Sequence, residues 1–277
     1  MANSIKIRKA AVAGMFYSGQ KDNLTREVAV FLENSPQVKG VKKIYGLVAP
    51  HAGYMYSGGV AARAYRQIVE RPYDIIVVIS PSHRIYFEEV SVYDGAAYST
   101  PLGEIPINQE LAQQIAESHE KIIYSDLGHD IDEHALEVHL PFLQMVQDNF
   151  ELIPIVMGNQ DYENIEILAD ALTQNLKGKN ALIVASSDLS HFYNYSKATV
   201  LDNVVVECIN SYDEEKLYRE LQSGLCEMCG GGPVITAMKA CRNLGATSSK
   251  VLLYRNSGDV TGDRNQVVGY LSAMFYA

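Results

Sequence analysis

The chain has 277 residues, 47% of them hydrophobic and 20% charged, and a formal net charge of −10. That length and apolar fraction allow a large buried core and place the chain among ordinary globular proteins rather than low-complexity or disordered ones. The negative charge, with basic residues unclustered apart from isolated pairs such as Arg8-Lys9 and Lys42-Lys43, argues against nucleic acid and anionic membranes as partners, and no apolar run approaches the roughly 20 residues of a membrane span.

At the N-terminus, Lys6, Arg8 and Lys9 precede a short apolar run over residues 10–16. The run is at the lower limit for a signal peptide, and Tyr17-Ser18-Gly19-Gln20-Lys21 makes a poor cleavage site, so no export signal is expected. The four cysteines, Cys208, Cys226, Cys229 and Cys241, all fall in the last third of the chain. They do not form the dense framework of a small secreted domain; reduced thiols and a cytoplasmic location are the expectation.

In chain order, residues 44–49, 74–80, 152–157 and 181–185 are short β-branched runs bounded by Pro, Gly or Ser. Such runs suit strands of a sheet covered on both faces. Helical patterns lie between them, over residues 59–69, 109–118, 134–147, 164–176, 200–211 and 233–243. The alternation predicts one α/β domain with a mainly parallel central sheet flanked by helices. Residues 250–256 and 267–276 are strand-like and separated by a turn-rich stretch, so they are expected to form a hairpin or two neighbouring strands closing the sheet.

Three predicted strands lead into histidines: Ala49-Pro50-His51, Ser80-Pro81-Ser82-His83 and Ser186-Ser187-Asp188-Leu189-Ser190-His191. Sites in open α/β sheets collect at the carboxyl ends of the strands, so three histidines there form a constellation rather than three structural residues. The fourth element is Cys226-Glu227-Met228-Cys229-Gly230-Gly231-Gly232-Pro233, ahead of a helical run. Its glycines allow close backbone approach, and a cysteine just before a helix N-terminus is expected to have a favoured thiolate, hence a good metal ligand. A Cys-x-x-Cys redox pair is the alternative for these two cysteines, whereas no second such pair exists to complete a zinc ribbon.

Glu133-His134-Ala135-Leu136-Glu137-Val138-His139 resembles a zinc-peptidase motif, but the spacing is wrong. On a helix, His134 and His139 would lie about 140° apart and would not share an ion. Asp130, Asp132, Glu133 and His134 crowd the predicted helix start, and one of them is a candidate to reach the cleft. Serine hydrolysis lacks a G-x-S-x-G elbow at Ser82 or Ser186.

At these positions the chain resembles the Memo-like family, known in microbes as protein B of the AmmeMemoRadiSam system. The matching stretches are residues 8–17 (RKAAVAGMFY), Ala49-Pro50-His51-Ala52-Gly53-Tyr54, Pro81-Ser82-His83, Thr100-Pro101-Leu102-Gly103, residues 133–141, residues 186–191 and Cys229-Gly230. They extend over nearly the whole length, which implies a single Memo-like domain over residues 1–277. The resemblance implies a fold like that of class III extradiol dioxygenases, which hold non-haem Fe(II) with two histidines and a carboxylate. On that likeness His51 and His83 correspond to the histidine ligands, His191 to the acid/base, and Cys229 stands where the carboxylate would be. A thiolate there shifts metal preference toward copper, zinc or thiolate-bound iron.

The resulting expectation is a metal-dependent oxidoreductase. One Fe(II) or Cu ion, with Zn as a further candidate, is held by His51, His83 and Cys229. His191 transfers protons, and Asp188 orients it or adds a weak ligand. The resemblance also implies a functional link to a radical-SAM protein. Two alternatives stay open: a binding module whose cleft takes an anionic, phosphotyrosine-like peptide or another small ligand, and a metal-assisted hydrolase.

Overall fold

Four short runs of branched apolar residues form the centre of the molecule, and their ends create the site. In the computed structural model, residues 6–129 and 132–277 are described. The elements are β1 (Ile7–Arg8), α1 (Lys21–Glu33), β2 (Ile44–Ala49), α2 (Tyr54–Tyr65), β3 (Ile75–Pro81), β4 (Val90–Val92), β5 (Ala97–Thr100) and β6 (Gly103–Pro106). There follow α3 (Gln109–Ala116), β7 (Ile122–Tyr124), α4 (Leu140–Val146), β8 (Glu151–Met157), α5 (Tyr162–Leu176), β9 (Ala181–Ser186) and β10 (Asp188–Tyr193). The chain closes with α6 (Tyr195–Asn210), α7 (Glu214–Gln222), α8 (Gly231–Leu244), β11 (Ser248–Asn256), α9 (Gly258–Thr261) and β12 (Val267–Tyr276).

The main sheet has nine strands in the order β10-β12-β2-β9-β3-β8-β4-β7, with β11 paired to β12. Its centre, β2-β9-β3-β8, is parallel, whereas β12 runs antiparallel to its neighbours and β4 antiparallel to β8. Every residue of β3 and β9 is buried, as expected for parallel strands covered on both faces by helices. The sheet is therefore mixed, with four parallel strands at its centre and a further parallel pair, β4 and β7, at one margin. A contiguous core runs from Val12 to Phe275. No helix among the described residues is long and apolar enough to cross a membrane.

The two C-terminal strands are neighbours, as expected, but β12 is not at the margin. One edge of β12 pairs with β11 along its length. The other edge is shared end to end, by β2 at residues 273–276 and by β10 at residues 267–270. β10 thus continues the line of β2 beyond the carboxyl end of that strand. This places His191 on a strand rather than in the loop the sequence suggested.

Helix starts differ from the apolar patterns for a local reason. Asn108, Asp161, Asn194 and Asp213 each accept a backbone N–H through the side chain and cap α3, α5, α6 and α7. Capping lets α6 begin several residues before its apolar stripe, and it supports α7, a mostly charged helix that buries only Leu217. α2 opens at Tyr54, earlier than the expected residue 59. The expected helix over residues 134–147 does not form as one element. Pro141 sits in the first turn of α4, and a short 3-10 turn over residues 137–139 precedes it. Proline lacks an N–H and its ring clashes with a preceding helical turn, so a helix can begin at Pro141 but cannot run through it. His134 therefore occupies an irregular segment.

Glu137 ties the N-terminal segment to this region. Its fully buried carboxylate pairs with Arg8 and accepts from Ala11 N (2.7 Å), Val12 N (3.0 Å) and Tyr17 Oη (2.5 Å). Arg8 also donates to the carbonyls of Glu133 and Lys9. Removing one partner of a buried pair leaves the other charge uncompensated, which typically costs about 3–5 kcal/mol. Glu137→Gln is expected to lower unfolding stability by that order in urea titration; a change within experimental error would show that the pair is not needed to hold the segment.

Candidate metal centre

The parallel strands β2, β9 and β3 lie side by side, so the loops after them open at one end of the sheet. His51 follows β2, His83 follows β3, and Ser186-Ser187-Asp188 spans the step from β9 to β10. Cys229 arrives from the turn before α8. One ligand atom from each of His51, His83 and Cys229 lies within 4.8 Å of the others. His51 Nε2 is 3.2 Å from Cys229 Sγ. The rings of His51, His83 and His134 are mutually close, with centroids 4.9–5.4 Å apart.

His83 and His51 each have Nδ1 already engaged. His83 Nδ1 is 3.1 Å from Glu133 Oε1, and its backbone N–H donates to Glu133 Oε2 at 2.5 Å. Glu133 also accepts from the N–H groups of His134 and Ala135, both at 2.9 Å. Burial disfavours its charge, but the hydrogen bonds from His83 and Ala135 outweigh burial and hold its pKa down to about 2. An ionised Glu133 accepts a proton-bearing Nδ1, which leaves His83 Nε2 with a free lone pair. His51 Nδ1 is 2.7 Å from Ser186 Oγ. Burial, with the neighbouring His83 and His134 rings, holds the His51 pKa well below the usual histidine value, so the ring is neutral.

Cys229 is placed by its backbone. Its N–H donates to the Asp188 carbonyl at 3.3 Å, and Sγ accepts from Asp188 N at 3.2 Å. Gly230 N donates to Ser187 Oγ at 2.9 Å. A Cβ on Gly230 would lie 2.0 Å from the Ser186 carbonyl oxygen, so only glycine permits this approach of the turn to β9. The expected favoured thiolate is not found. Burial, then the Asp188 carboxylate, pushes the Cys229 thiol up to about 12, and these outweigh the helix start. A cation must therefore displace the thiol proton.

A family model described as Memo-like protein matches residues 8–274. The chain belongs to the Memo-like family. It is 35% identical over 274 residues to the MEMO1 family protein of Nitrosopumilus maritimus, covering 97% of this chain and 99% of that one. It is 39% identical over 272 residues to a MEMO1 family protein of Methanosarcina mazei, covering 96% and 98%. Among solved structures it resembles an uncharacterized protein from Escherichia coli K12, with a TM-score of 0.58 and 15% identity over 84% of this chain and 100% of that one, a likeness of fold alone.

In this Memo-like chain the other expected residues fall differently. Asp188, pushed up to about 7 by burial, accepts from the His51 N–H at 2.9 Å and also from the Ala52 N–H. Its carboxylate thus braces the His51 loop, and these bonds run to His51 rather than to His191. The His191 ring bonds to the Leu189 carbonyl, and burial lowers its pKa. His134 stacks on His83 at 18° and packs against Phe16, while its buried Nδ1 has no hydrogen-bond partner among the described residues. His139 is turned away: Nδ1 meets Tyr65 Oη at 2.8 Å and Nε2 meets Ser186 Oγ at 2.7 Å. His134 and His139 lie on an irregular backbone rather than one helix, and both nitrogens of His139 are already occupied. Of the acidic residues near the expected helix start, Glu133 reaches the cleft; Asp130 lies outside the described residues. The four cysteines are free, so Cys226 and Cys229 are not a disulfide in this structure. A surface cavity of about 660 Å³ lies at the opposite end of the sheet near Asp74 and Glu151 and contains none of these histidines.

The lowered Glu133 pKa gives a signed expectation. Its stabilising contribution is present above the unfolded carboxylate value of ~4.3 and is lost as pH falls toward about 2. The stability gap between the native chain and Glu133→Gln, read as urea midpoints, should be largest at pH 6 and shrink at pH 3. A gap that does not change with pH would contradict the ionised Glu133–His83 arrangement.

Proposed function

We propose that this chain binds one iron or copper ion through His51 Nε2, His83 Nε2 and Cys229 Sγ, and acts as a metal-dependent oxidoreductase. The observation that carries the reading is the convergence of three ligand atoms within 4.8 Å, with Nε2 of His51 3.2 Å from the sulfur and both Nδ1 atoms engaged elsewhere. Two imidazoles and a displaceable thiol proton fit iron, copper or zinc better than magnesium or calcium, which prefer oxygen. The buried His134 Nδ1, without a hydrogen-bond partner among the described residues and 3.7 Å from Glu133 Oε1, adds a further nitrogen beside His83. The choice of redox chemistry rests on the family's likeness to class III extradiol dioxygenases. A bound iron or copper ion supplies one-electron redox capacity and a Lewis-acid position at the strand ends.

The protein groups divide the remaining work. His191, neutral near pH 7 because burial lowers its pKa, is able to take a proton from a guest in the cleft. Asp188 fixes the His51 loop, and Glu133 orients the His83 ring by accepting its Nδ1–H. Phe16 beside His134 and the exposed Phe192 beside His191 give the cleft an apolar rim suited to an organic guest.

Metal content per chain after anaerobic purification tests the ligand set. The native protein and Cys226→Ser should carry about one iron or copper ion, and Cys229→Ser should lose most of it while keeping its melting temperature. Equal loss in both variants would point to a paired-thiol site, and unchanged metal in Cys229→Ser would end the proposal. Oxygen consumption by the loaded protein with catechols then separates turnover from simple binding; its absence across phenolic and non-phenolic guests would overturn the oxidoreductase reading.

A further inference from the structure

Ser186 Oγ has three close neighbours: the Ala135 carbonyl oxygen at 2.6 Å, His51 Nδ1 at 2.7 Å and His139 Nε2 at 2.7 Å. A hydroxyl offers one proton and two lone pairs. The carbonyl can only accept, and two oxygens 2.6 Å apart need a proton between them. The Ser186 proton is therefore committed to Ala135, and both imidazole nitrogens must donate to Ser186. His139, protonated on Nε2, is left with a bare Nδ1 that accepts from Tyr65 Oη at 2.8 Å. His51, protonated on Nδ1, is left with a bare Nε2 directed at Cys229 Sγ.

From this proton count we infer that Ser186 is a positioning residue: its hydroxyl, held by Ala135 and flanked by His139, locks His51 in the Nδ1–H tautomer and so presents Nε2 to a metal ion. Other arrangements of the shared protons fail at Ala135. If Ser186 donated to His51 instead, a bare hydroxyl oxygen would face a carbonyl oxygen at 2.6 Å, and His51 Nε2 would carry a proton where the ion must bind.

The same count removes a rival chemistry. A serine between two histidines invites a nucleophile–base reading, but both rings donate toward Ser186, so neither can accept its proton. The two ligand histidines are thus set by different devices. His83, 28% exposed at the side chain, uses an ionised carboxylate. His51 is fully buried beside Asp188 and uses a neutral hydroxyl. A second carboxylate in that pocket would add like charge beside Asp188.

The consequence for metal binding rests on the proposed function; the tautomer does not. The test is long-range ¹H–¹⁵N NMR of histidine-labelled, metal-free protein, combined with zinc(II) titration. The native His51 should show the Nδ1–H pattern. Ser186→Ala should shift His51 toward Nε2–H and weaken zinc about 10- to 100-fold, and Ser186→Thr, which restores a hydroxyl, should recover both. A native His51 protonated on Nε2 would overturn the inference, as would a Ser186→Ala variant that loses only melting temperature and keeps the tautomer. If native His51 has the expected tautomer, Ser186→Ala shifts it, and zinc does not bind at all, the inference stands and the proposed metal function fails.

Discussion

The site depends on how the chain leaves β9. Within three residues, Ser186, Ser187 and Asp188 bind the two loops that bring His51 and Cys229 together. Ser187 N donates to the Ala49 carbonyl, Asp188 accepts the His51 N–H, and the backbone of Asp188 both donates to Sγ and accepts from the Cys229 N–H. Because β9 lies between β2 and β3 in a parallel array, these bonds set the distance between neighbouring strand-end loops. Without them, His51 and Cys229, 178 residues apart in sequence, would have no reason to meet.

A second layer supports the other ligand through charge. Arg8, buried against Glu137, also donates to the Glu133 carbonyl, and Glu133 in turn holds His83. The N-terminal segment thereby joins the site it precedes by more than forty residues, and Phe16 from that segment packs on His134. Buried ion pairs rarely add net stability over apolar packing. Here the pair has a geometric role, fixing an irregular segment that carries Glu133 and His134 and that no helix or strand could position.

Much of this was legible in the sequence, and the omissions have physical causes. The central strands stand out because burial on both faces demands uninterrupted apolar residues, as in Ile76-Val77-Val78-Ile79. His51, His83 and Cys229 were readable because their strand ends and glycine turn are local features. Helix starts at Tyr195 and Glu214 were missed because single Asx caps, not apolar stripes, decide them. The helix expected over residues 134–147 gave too little weight to Pro141. The Cys229 thiolate was misjudged because a helix terminus is visible in sequence, whereas burial and the Asp188 carboxylate beside the sulfur are not. Ser186 and Glu133 carry no local signal for their roles, which arise from contacts with His51 and His83 across long sequence separations.

The central claim, that one cation sits on two imidazoles and one sulfur, is tested most directly by X-ray absorption at the zinc edge of protein loaded with one equivalent of Zn(II). The account predicts one sulfur scatterer at ~2.3 Å together with two imidazole nitrogens at ~2.0–2.1 Å. A first shell of nitrogen and oxygen alone, or one with two sulfurs, would contradict it.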